Sequence, residues 1–278
     1  MRFTEKNWGD SLPTSWAAKP TIYYEELDFT NLEAVRLAKA GAVHGTLVIA
    51  DRQTEGRGRR GRSWFSSGSD SLTMSLILRP KLPAEQVSMM TLVMALAVCH
   101  GIRQLLAENG QEAAARQCGI KWPNDILIGD RKVCGILTEL HTPEEGGYIL
   151  VAGVGINVNG TEFPEELGDR ATSLRLAAGC PVDSPVDRER LAALAVSFFE
   201  KYYELTASAG DLEPIMDQYQ LCLCGKGMPI RVLDPAGEYG GVALGITSMG
   251  ELLVLKDGEG MVTINSGEIS IRGRKGYF

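Results

Sequence analysis

The sequence predicts an α+β protein whose mixed, largely antiparallel sheet is flanked by helices and followed by a small all-β unit. Helical and strand-like segments are interspersed up to Cys224. Gly129-Asp130 separates two apolar runs, and a two-residue connection with glycine first is typical of a type II′ β-hairpin. After Cys224 the apolar runs become short and are separated by Gly, Asp and Pro, which is typical of a small β-barrel.

The first part of the chain holds the predicted helices and most of the predicted strands. Apolar residues at helical spacing predict the helices Thr30–Ala40, Glu85–Glu108, Arg188–Thr206 and Leu212–Leu221. Short or alternating apolar runs predict the strands Thr46–Ala50, Leu72–Leu78, Ile120–Trp122, Ile126–Ile128, Lys132–Leu140 and Tyr148–Val158. The segment Asp51–Asp70 has no apolar period, so we expect a long exposed loop, and loops of this length in compact domains are usually functional.

The C-terminal part is predicted to contain strands alone. Its apolar runs are Ile230–Leu233, Val242–Ile246, Leu252–Leu255, Met261–Ile264 and Ile269–Ile271. The change of pattern lies near Leu223–Gly227, which divides the chain into a domain of residues 1–224 and a domain of residues 225–278.

Composition limits the classes of function. With 278 residues, 44% of them hydrophobic, the chain is long enough for a buried core in a large domain and a small one. The net charge is −7, whereas a general nucleic-acid binder usually carries a basic excess. Any basic site must therefore be local.

Cysteine, histidine and hydropathy patterns predict a cytoplasmic protein. The three histidines are scattered and no Cys-x-x-Cys pair occurs among the six cysteines, so no zinc site is expected. The cysteines lie mostly in apolar stretches, as expected of reduced thiols in a cytoplasm. The N-terminus lacks the apolar region of a secretory signal, and the longest apolar stretch, Met89–Cys99, is too short to cross a bilayer.

The run Gly56-Arg-Gly-Arg-Arg-Gly-Arg62 is the strongest local signal. It matches G-x-G-x-x-G, but it does not follow directly on a strand or open a helix, so a dinucleotide-binding loop is discounted. Five arginines from Arg52 to Arg62 crowd this segment, and guanidinium groups bind phosphate and carboxylate in a bidentate manner. We interpret it as an anion-binding loop that is disordered without ligand. The alternatives are a flexible solvated loop or an RGG-like nucleic-acid segment.

Three downstream segments carry further polar or glycine signals. Lys121-Trp-Pro-Asn-Asp125 places a base, an amide and an acid on one turn, where Asp125 is a candidate Mg²⁺ ligand; the alternative is a plain surface turn. Across the hairpin, Lys132 pairs with Leu127, and alternation puts it on one face with Cys134, Ile136 and Thr138. A lysine on such a face needs an anionic partner, unless it guards a sheet edge.

The third segment is Gly153-Val-Gly-Ile-Asn157. Glycines at alternate strand positions leave one face without side chains, so that a flat ligand fits there with Asn157 beside it. The alternative is close packing of a helix on that face.

These motifs, in this order, resemble those of the biotin–protein ligases. The resemblance rests on Gly56–Arg62, Lys121–Asp125, Lys132–Leu137 and Gly153–Asn157, with Thr30-Asn31 and Gly267–Arg272 in addition, and it spans residues 23–272. Four ordered motifs are far more specific than one. The resemblance implies a class II synthetase-like catalytic domain and a small C-terminal SH3-like β-barrel.

The resemblance also implies a two-step reaction. Biotin and MgATP give biotinyl-5′-AMP and pyrophosphate, and the biotinyl group then passes to one lysine of a biotin carboxyl-carrier protein, as in acetyl-CoA carboxylase or a related carboxylase. Biotin and ATP are substrates, Mg²⁺ accompanies ATP, and no prosthetic group is implied. The chain resembles the monofunctional type without an N-terminal DNA-binding domain, because about twenty residues precede the similarity and a helix-turn-helix needs more.

Carried over by position, the resemblance assigns roles to individual residues. The expected catalytic residues are Arg57, Arg59 and Lys132. The expected biotin-binding residues are Thr30, Asn31, Gln53, Gly56, Arg57, Gly58, Arg59, Trp64, Lys132, Gly135, Gly153 and Gly155. The expected ATP-binding residues are Arg59, Arg62, Lys121, Asn124, Asp125, Lys132 and Asn157. For the barrel, the hypothesis is that it helps to dock the carrier or ATP, with Glu268 and Arg272 near the interface.

One position departs from the family pattern. Many relatives have a small residue, often Ser, before the Thr-Asn pair, and this chain has Phe29. A hydroxyl that would bind the ureido group is therefore missing there, and either Thr30 and a water compensate or the affinity is lower. The alternative is that Phe29 points into the core.

Other functions remain as alternatives. A lipoate or octanoate ligase shares the general fold and the adenylate chemistry, but the Gly-Arg-Gly-Arg-Arg-Gly run favours biotin. A biotin-sensing repressor is disfavoured together with DNA binding, and a non-catalytic binding module is disfavoured by the intact charged residues. No membrane association is expected, and a homodimer is compatible with the sequence.

Overall fold

A seven-stranded mixed sheet forms the centre of the protein. The computed structural model describes residues 2–4, 8–66, 68–143, 146–181, 183–235, 237–265 and 270–273. In chain order the strands are β1 Thr21–Leu27, β2 Leu47–Gln53, β3 Ser71–Leu78, β4 Cys118–Lys121, β5 Asp125–Ile128, β6 Arg131–His141 and β7 Ile149–Asn157. They lie in the order β1-β2-β3-β7-β6-β5-β4, and every neighbouring pair is antiparallel except β1 and β2. The predicted mixed, largely antiparallel sheet is confirmed.

Helices cover both faces of this sheet. They are α1 Thr30–Lys39, α2 Ala84–Val87, α3 Met90–Glu108, α4 Glu112–Gln117, α5 Leu174–Ala178, α6 Arg188–Ala209 and α7 Glu213–Cys222. On one face α1 packs on β2, β3 and β7 through a small cluster that includes Ala34, Val48 and Val151. On the other face α3 and α6 pack against each other and enclose the main core.

Helix α3 is apolar around most of its circumference, as a buried core helix must be. Among the described residues, Met89–Glu108 is the one helix long and apolar enough to cross a membrane. However, 78% of its most apolar window is buried inside the protein. Burial of this helix in the hydrophobic core therefore explains its apolar sequence.

The C-terminal part is a second, five-stranded antiparallel sheet, which confirms the predicted all-β unit. Its strands are β8 Pro229–Leu233, β9 Tyr239–Ile246, β10 Leu252–Lys256, β11 Gly260–Ile264 and β12 Ser270–Gly273, in the order β11-β10-β9-β8-β12. The buried Trp122 ties it to the first part, because its indole N–H donates to the Gly250 carbonyl at 3.0 Å. Buried residues of both sheets belong to one continuous hydrophobic core.

Several predicted elements needed correction. The predicted helix Glu85–Glu108 is two helices, α2 and α3, because bonds to the third preceding residue, such as Met89 N–H to Gln86 O, tighten the chain between them. The predicted loop from Asp51 begins later, since β2 continues to Gln53 and pairs with β1. Strand β1 and the short helices α4 and α5 were not predicted.

The strand alternation predicted for Lys132 was wrong. Lys132 pairs with Leu127 as expected, but Cys134 pairs with Ile126, so β6 uses one more residue than β5 and forms a bulge. Cys134 and Ile136 face the main core, whereas Lys132 Nζ lies 3.0 Å from the position that a Gly135 Cβ would occupy. The bulge therefore turns Lys132 to the face opposite Cys134.

Candidate active site

Two connected cavities lie on the α1 face of the central sheet. The first, a narrow slot, is lined by eleven of the twelve residues predicted to bind biotin: Thr30, Asn31, Gln53, Arg57, Gly58, Arg59, Trp64, Lys132, Gly135, Gly153 and Gly155. The second and larger cavity is lined by all seven residues predicted to bind ATP: Arg59, Arg62, Lys121, Asn124, Asp125, Lys132 and Asn157. Both are lined by Gly58, Arg59, Trp64, Asn124 and Lys132, so they meet at these residues.

Gly56 is the predicted biotin-binding residue that does not line the slot. It is buried behind it, where a Cβ would lie 2.9 Å from the Trp64 carbonyl oxygen and 3.0 Å from Gln53 Nε2. Its lack of a side chain lets the two ends of the arginine-rich loop, residues 56–64, approach each other. Gly56 therefore shapes the loop that borders the slot.

The arginine-rich loop folds as a tight hairpin. Trp64 N–H donates to Gly56 O at 2.8 Å, and Gly58 N–H donates to Arg62 O at 2.7 Å. Arg60 lies at the tip with a φ of 61°, a left-handed conformation that is uncommon for a side chain larger than glycine. The hairpin brings Arg57 and Arg59 to the slot, and Arg59, Arg60 and Arg62 to the larger cavity.

Of these arginines, Arg59 lines both cavities. Its guanidinium donates to Asn124 Oδ1 at 2.9 Å, which joins the loop to the Lys121–Asp125 turn. Burial lowers the pKa of Arg59, and the Asp125 carboxylate opposes this effect. Arg57 lines the slot but is largely exposed, with its guanidinium 3.6 Å from Glu55.

Two lysines converge on one carboxylate where the cavities meet. Lys132 Nζ lies 2.6 Å from Asp125 Oδ1, and Lys121 Nζ lies 3.6 Å from Asp125 Oδ2. Lys121 is 4% exposed, and this burial lowers its pKa to about 7, against the opposing attraction of Asp125. The junction thus carries several cationic groups, with one carboxylate between two of them.

The floor of the slot is glycine backbone covered by an indole ring. A Cβ on Gly155 would lie 2.5 Å from Trp64 Cε2, and a Cβ on Gly135 would lie 3.1 Å from Trp64 Cζ3. The ring therefore rests directly on both glycines. Lys132 Nζ lies 5.6 Å from its centroid, within the range of a cation–π contact. Trp64 Nε1 is buried and has no hydrogen-bond partner among the described residues.

The closed end of the slot lies at the N-terminus of α1. Gln53 Oε1 accepts from Thr30 N–H at 2.8 Å and lies 2.9 Å from Thr30 Oγ1. Gln53 thus caps the helix in place of Phe29, whose side chain cannot accept a hydrogen bond. Phe29 is buried and lines the slot. Its ring contributes both to the packing of α1 and to the wall of the cavity.

Two residues that were missed in the sequence support this closed end. Ser75 Oγ on β3 donates to Asn31 Oδ1 at 2.6 Å, and Glu139 Oε2 on β6 accepts from Asn31 Nδ2 at 2.7 Å. A Cβ on Gly153 would collide with Asn31 Oδ1, at 2.0 Å, so this glycine makes room for the Asn31 amide. Ser75 and Glu139 lie within apolar strand patterns, and no local signal marked them.

The far wall of the larger cavity comes from later segments. Asn157 Nδ2 donates to the Thr172 carbonyl at 3.1 Å, and Phe163 and Arg170, which were not predicted, line the same cavity as Arg59 and Arg62. Arg272 of β12 lines the same cavity and so brings the C-terminal sheet to the site. Glu268, predicted beside it, lies outside the described residues.

This arrangement joins a slot with a polar, uncharged closed end to a wide cavity rich in cations. A small acid inserted with its polar ring inward would present its carboxylate at the junction, beside Arg59 and Lys132. A polyphosphate in the wide cavity would meet the same two residues. The geometry is suited to bringing two anions into contact.

Comparison with known proteins agrees with this geometry. Residues 28–157 match the model of the Biotin/lipoate A/B protein ligase family, and residues 227–272 match that of the Biotin protein ligase C terminal domain. The first match covers the slot and every strand of the central sheet except β1, and the second covers the second sheet up to residue 272.

Individual relatives match over most of their length. The chain is 40% identical over 264 residues to the bifunctional ligase/repressor BirA of Bacillus subtilis, which covers 94% of this chain and 76% of that protein. It is 32% identical to the biotin–[acetyl-CoA-carboxylase] ligase of Mycobacterium tuberculosis, over 86% and 84% of the two chains. The solved biotin protein ligase of Aquifex aeolicus in complex with biotin and ATP superposes with a TM-score of 0.75 at 30% identity, over 92% and 99% of the two chains. The chain belongs to the biotin protein ligase family.

Proposed function

We propose that the protein joins biotin to ATP, forming biotinyl-5′-AMP and pyrophosphate, and then transfers the biotinyl group to a lysine of a biotin carboxyl-carrier protein. The observation that carries the proposal is the junction of the two cavities, where Arg59 and Lys132 line both. The family membership and the relative solved with biotin and ATP support the choice of substrates.

In this proposal biotin lies in the narrow slot. Its bicyclic ring faces the closed end at Thr30 and Gln53, and its carboxylate reaches the junction. The triphosphate lies in the larger cavity near Lys121 and Asn124. Neither closed-end residue carries a formal charge, which suits a neutral ureido group, whereas the junction suits anions.

The first step is an in-line displacement. A biotin carboxylate oxygen bonds to the α-phosphorus of ATP as the bond to pyrophosphate breaks. Arg59 and Lys132 oppose the repulsion between the two anions and stabilise the charge that develops on the α-phosphate. Arg57, exposed on the loop, would add to this when the loop closes over the ligand, and it is the third proposed catalytic residue.

In the second step the amine of the carrier lysine attacks the carbonyl carbon of the mixed anhydride, and AMP leaves with the bonding electron pair. Both steps use substrate nucleophiles, so no covalent intermediate with the enzyme is required. The cations at the junction also stabilise AMP as the leaving group.

Mg²⁺ would come to the site on ATP. Both Asp125 oxygens already contact lysine ammonium groups, and the described residues contain no cluster of three or more metal-binding side chains. A single carboxylate suits a cation held mainly by phosphate oxygens and water, which is the usual mode for Mg²⁺. The ion would supply charge neutralisation at the leaving pyrophosphate, with Asp125 as its protein contact.

We also propose the division into domains of residues 1–224 and 225–278. The second domain contributes Arg272 to the wall of the nucleotide cavity. Loss of the residues after Gly225 is expected to reduce the rate of transfer to the carrier, and an unchanged rate would exclude a role for this domain.

Cytoplasmic location and the lack of DNA binding are further proposals. All six cysteines are free thiols, as in a reducing compartment, and the chain carries a net charge of −7. A gel-shift experiment with operator DNA is expected to show no complex. A shifted band would instead indicate a repressor activity like that named for the Bacillus subtilis relative.

The decisive experiment measures pyrophosphate release with biotin, lipoate and octanoate as the acid. Release that depends on biotin, followed by labelling of a biotin carboxyl-carrier domain, is the expected result. Faster release with lipoate or octanoate would replace the proposal with the lipoyl branch of the family, which the name of the matched family model includes.

A further inference from the structure

The closed end of the slot contains a chain of hydrogen-bonding groups that is short of one proton. Ser75 Oγ lies 2.6 Å from Asn31 Oδ1 and 2.8 Å from Thr30 Oγ1, and Thr30 Oγ1 lies 2.9 Å from Gln53 Oε1. These are three oxygen–oxygen contacts at hydrogen-bond distance. Two hydroxyl groups supply two protons, and an amide oxygen supplies none. One of the three contacts therefore has no hydrogen.

Both amide groups have fixed orientations. Gln53 Oε1 accepts the backbone N–H of Thr30, so this atom must be the oxygen. Asn31 Nδ2 donates to Glu139 Oε2 at 2.7 Å and to Leu137 O at 3.2 Å, which uses both of its protons. Asn31 is fully buried, so its oxygen is directed at Ser75 and needs the Ser75 proton.

These orientations leave two places for the contact without a hydrogen, namely Ser75 Oγ with Thr30 Oγ1 or Thr30 Oγ1 with Gln53 Oε1. If Ser75 donates to Asn31, Thr30 has one proton for two neighbours, Ser75 and Gln53. When Thr30 donates inward to Ser75, the contact without a hydrogen is Thr30 Oγ1 with Gln53 Oε1. Both of these residues line the slot, whereas Ser75 is fully buried beneath it. A ligand N–H placed between the two oxygens would donate to both and relieve their repulsion.

We propose that Glu139 is a positioning residue that sets the direction of the hydrogen bonds from Asn31 to Gln53, so that the closed end of the slot accepts an N–H group from the acid. Its carboxylate and the Leu137 carbonyl together keep the Asn31 amide nitrogen away from Ser75 and its oxygen toward it, and the contact with Glu139 is the shorter, at 2.7 Å against 3.2 Å. Without Glu139, the amide can rotate by 180°, donate to Ser75 and supply the missing proton. The closed end then no longer favours an N–H donor.

The inference rests on the proposed binding of biotin in the slot, whose ureido ring carries N–H groups that the dithiolane ring of lipoate and the chain of octanoate lack. Glu139 would therefore contribute to selecting the acid without touching it. The contact spans 108 residues of sequence and joins β6 to α1.

Calorimetric titration of biotin in the absence of ATP tests this role with Glu139→Leu and Glu139→Gln. Glu139→Leu is expected to raise the dissociation constant for biotin about tenfold, the effect of one hydrogen bond. Glu139→Gln keeps an acceptor for Asn31 and is expected to stay within about threefold of wild type. The dissociation constant for ATP should not change in either variant, and Glu33→Leu, a change on the α1 surface where Glu33 accepts from Tyr24, is the control.

A double-mutant cycle tests whether the effect passes through Ser75. Ser75→Ala breaks the same chain, so the effects of Ser75→Ala and Glu139→Leu on biotin binding should not add. The inference is overturned if Glu139→Leu binds biotin like wild type, if Glu139→Gln is as weak as Glu139→Leu, or if ATP affinity falls equally. If biotin binding depends on Glu139 but the wild-type protein releases no pyrophosphate, the proposed adenylation is wrong and this inference stands. If the wild-type protein binds no biotin, both are wrong.

Discussion

The Arg59 guanidinium donates a 2.9 Å hydrogen bond to Asn124 Oδ1, which joins two segments that lie 65 residues apart in the sequence. This contact fixes the arginine-rich loop at the point where the slot meets the larger cavity. It places a cation where the acid and the α-phosphate are proposed to react.

Replacing Arg59 with alanine is expected to slow biotin-dependent pyrophosphate release by about 10²- to 10³-fold, the usual effect of removing one group that stabilises developing charge. Arg59 lies on a loop outside the strands, so the melting temperature should hardly change. Arg52→Ala is the matched control, because Arg52 is an exposed arginine near the same loop that pairs with Glu26. Wild-type adenylation by Arg59→Ala would exclude this arginine from the mechanism.

Binding of ATP is expected to take up a proton near pH 8. Burial lowers the pKa of Lys121 to about 7, so its amine is mostly neutral at that pH, and a nearby phosphate favours the charged form. The affinity for ATP should therefore fall as the pH rises above 7, by up to about tenfold per pH unit. Titration calorimetry in buffers with different ionisation enthalpies measures the uptake.

Lys121→Arg provides the comparison for this proton uptake. Arginine stays charged at every pH of interest, so the variant should bind ATP without the proton uptake that is due to Lys121. Any proton taken up or released by ATP itself is the same for both proteins and cancels in the comparison. Equal proton uptake in wild type and Lys121→Arg would show that Lys121 does not change its charge when ATP binds.

Biotin binding is expected to move Trp64. The indole rests on Gly155 and Gly135, so a flat ligand reaches this floor only after the ring is displaced. The intrinsic fluorescence should therefore change when biotin is added, and Trp64→Phe should abolish the change. Trp16→Phe, which alters a tryptophan packed against His44 and Tyr203, should preserve it. A full response in Trp64→Phe would mean that the ring stays in place.

The contact between Trp122 and the C-terminal sheet is expected to stabilise the whole protein. Trp122→Phe removes the hydrogen bond to Gly250 O from a fully buried position, and the free energy of unfolding should fall by about 1–3 kcal/mol. Trp64→Phe should cost under about 1 kcal/mol, because Trp64 Nε1 has no partner among the described residues. Chemical denaturation compares the two variants, and equal losses would contradict this account.

Local sequence patterns predicted most of the regular elements. The helix at Thr30 and the hairpin at Gly129 were correctly placed, and Gly129 has the positive φ, 58°, that the first position of a type II′ turn requires. Strand β1 was missed although it contains Ile22, Tyr23 and Tyr24, which favour strands. The break before α3 was missed because its sequence is compatible with a continuous helix.

Prediction was less complete within the site. The charged and glycine-rich motifs marked Arg59, Lys132 and Gly155, which the structure brings together around the two cavities. Their individual roles in binding stay predictions. Ser75 and Glu139 were missed because each occupies one position of a strand with no distinctive neighbours.

The sequence by itself determined the chemical inventory of this protein, namely its cations, its glycines and the family to which it belongs. Only the tertiary structure decided which atoms meet. The bulge in β6 turned Lys132 to the ligand face, and strand register brought Glu139 within 2.7 Å of Asn31. The physical reason is that a one-residue change of register reverses the face of every side chain, and register depends on packing between segments that are distant in the sequence.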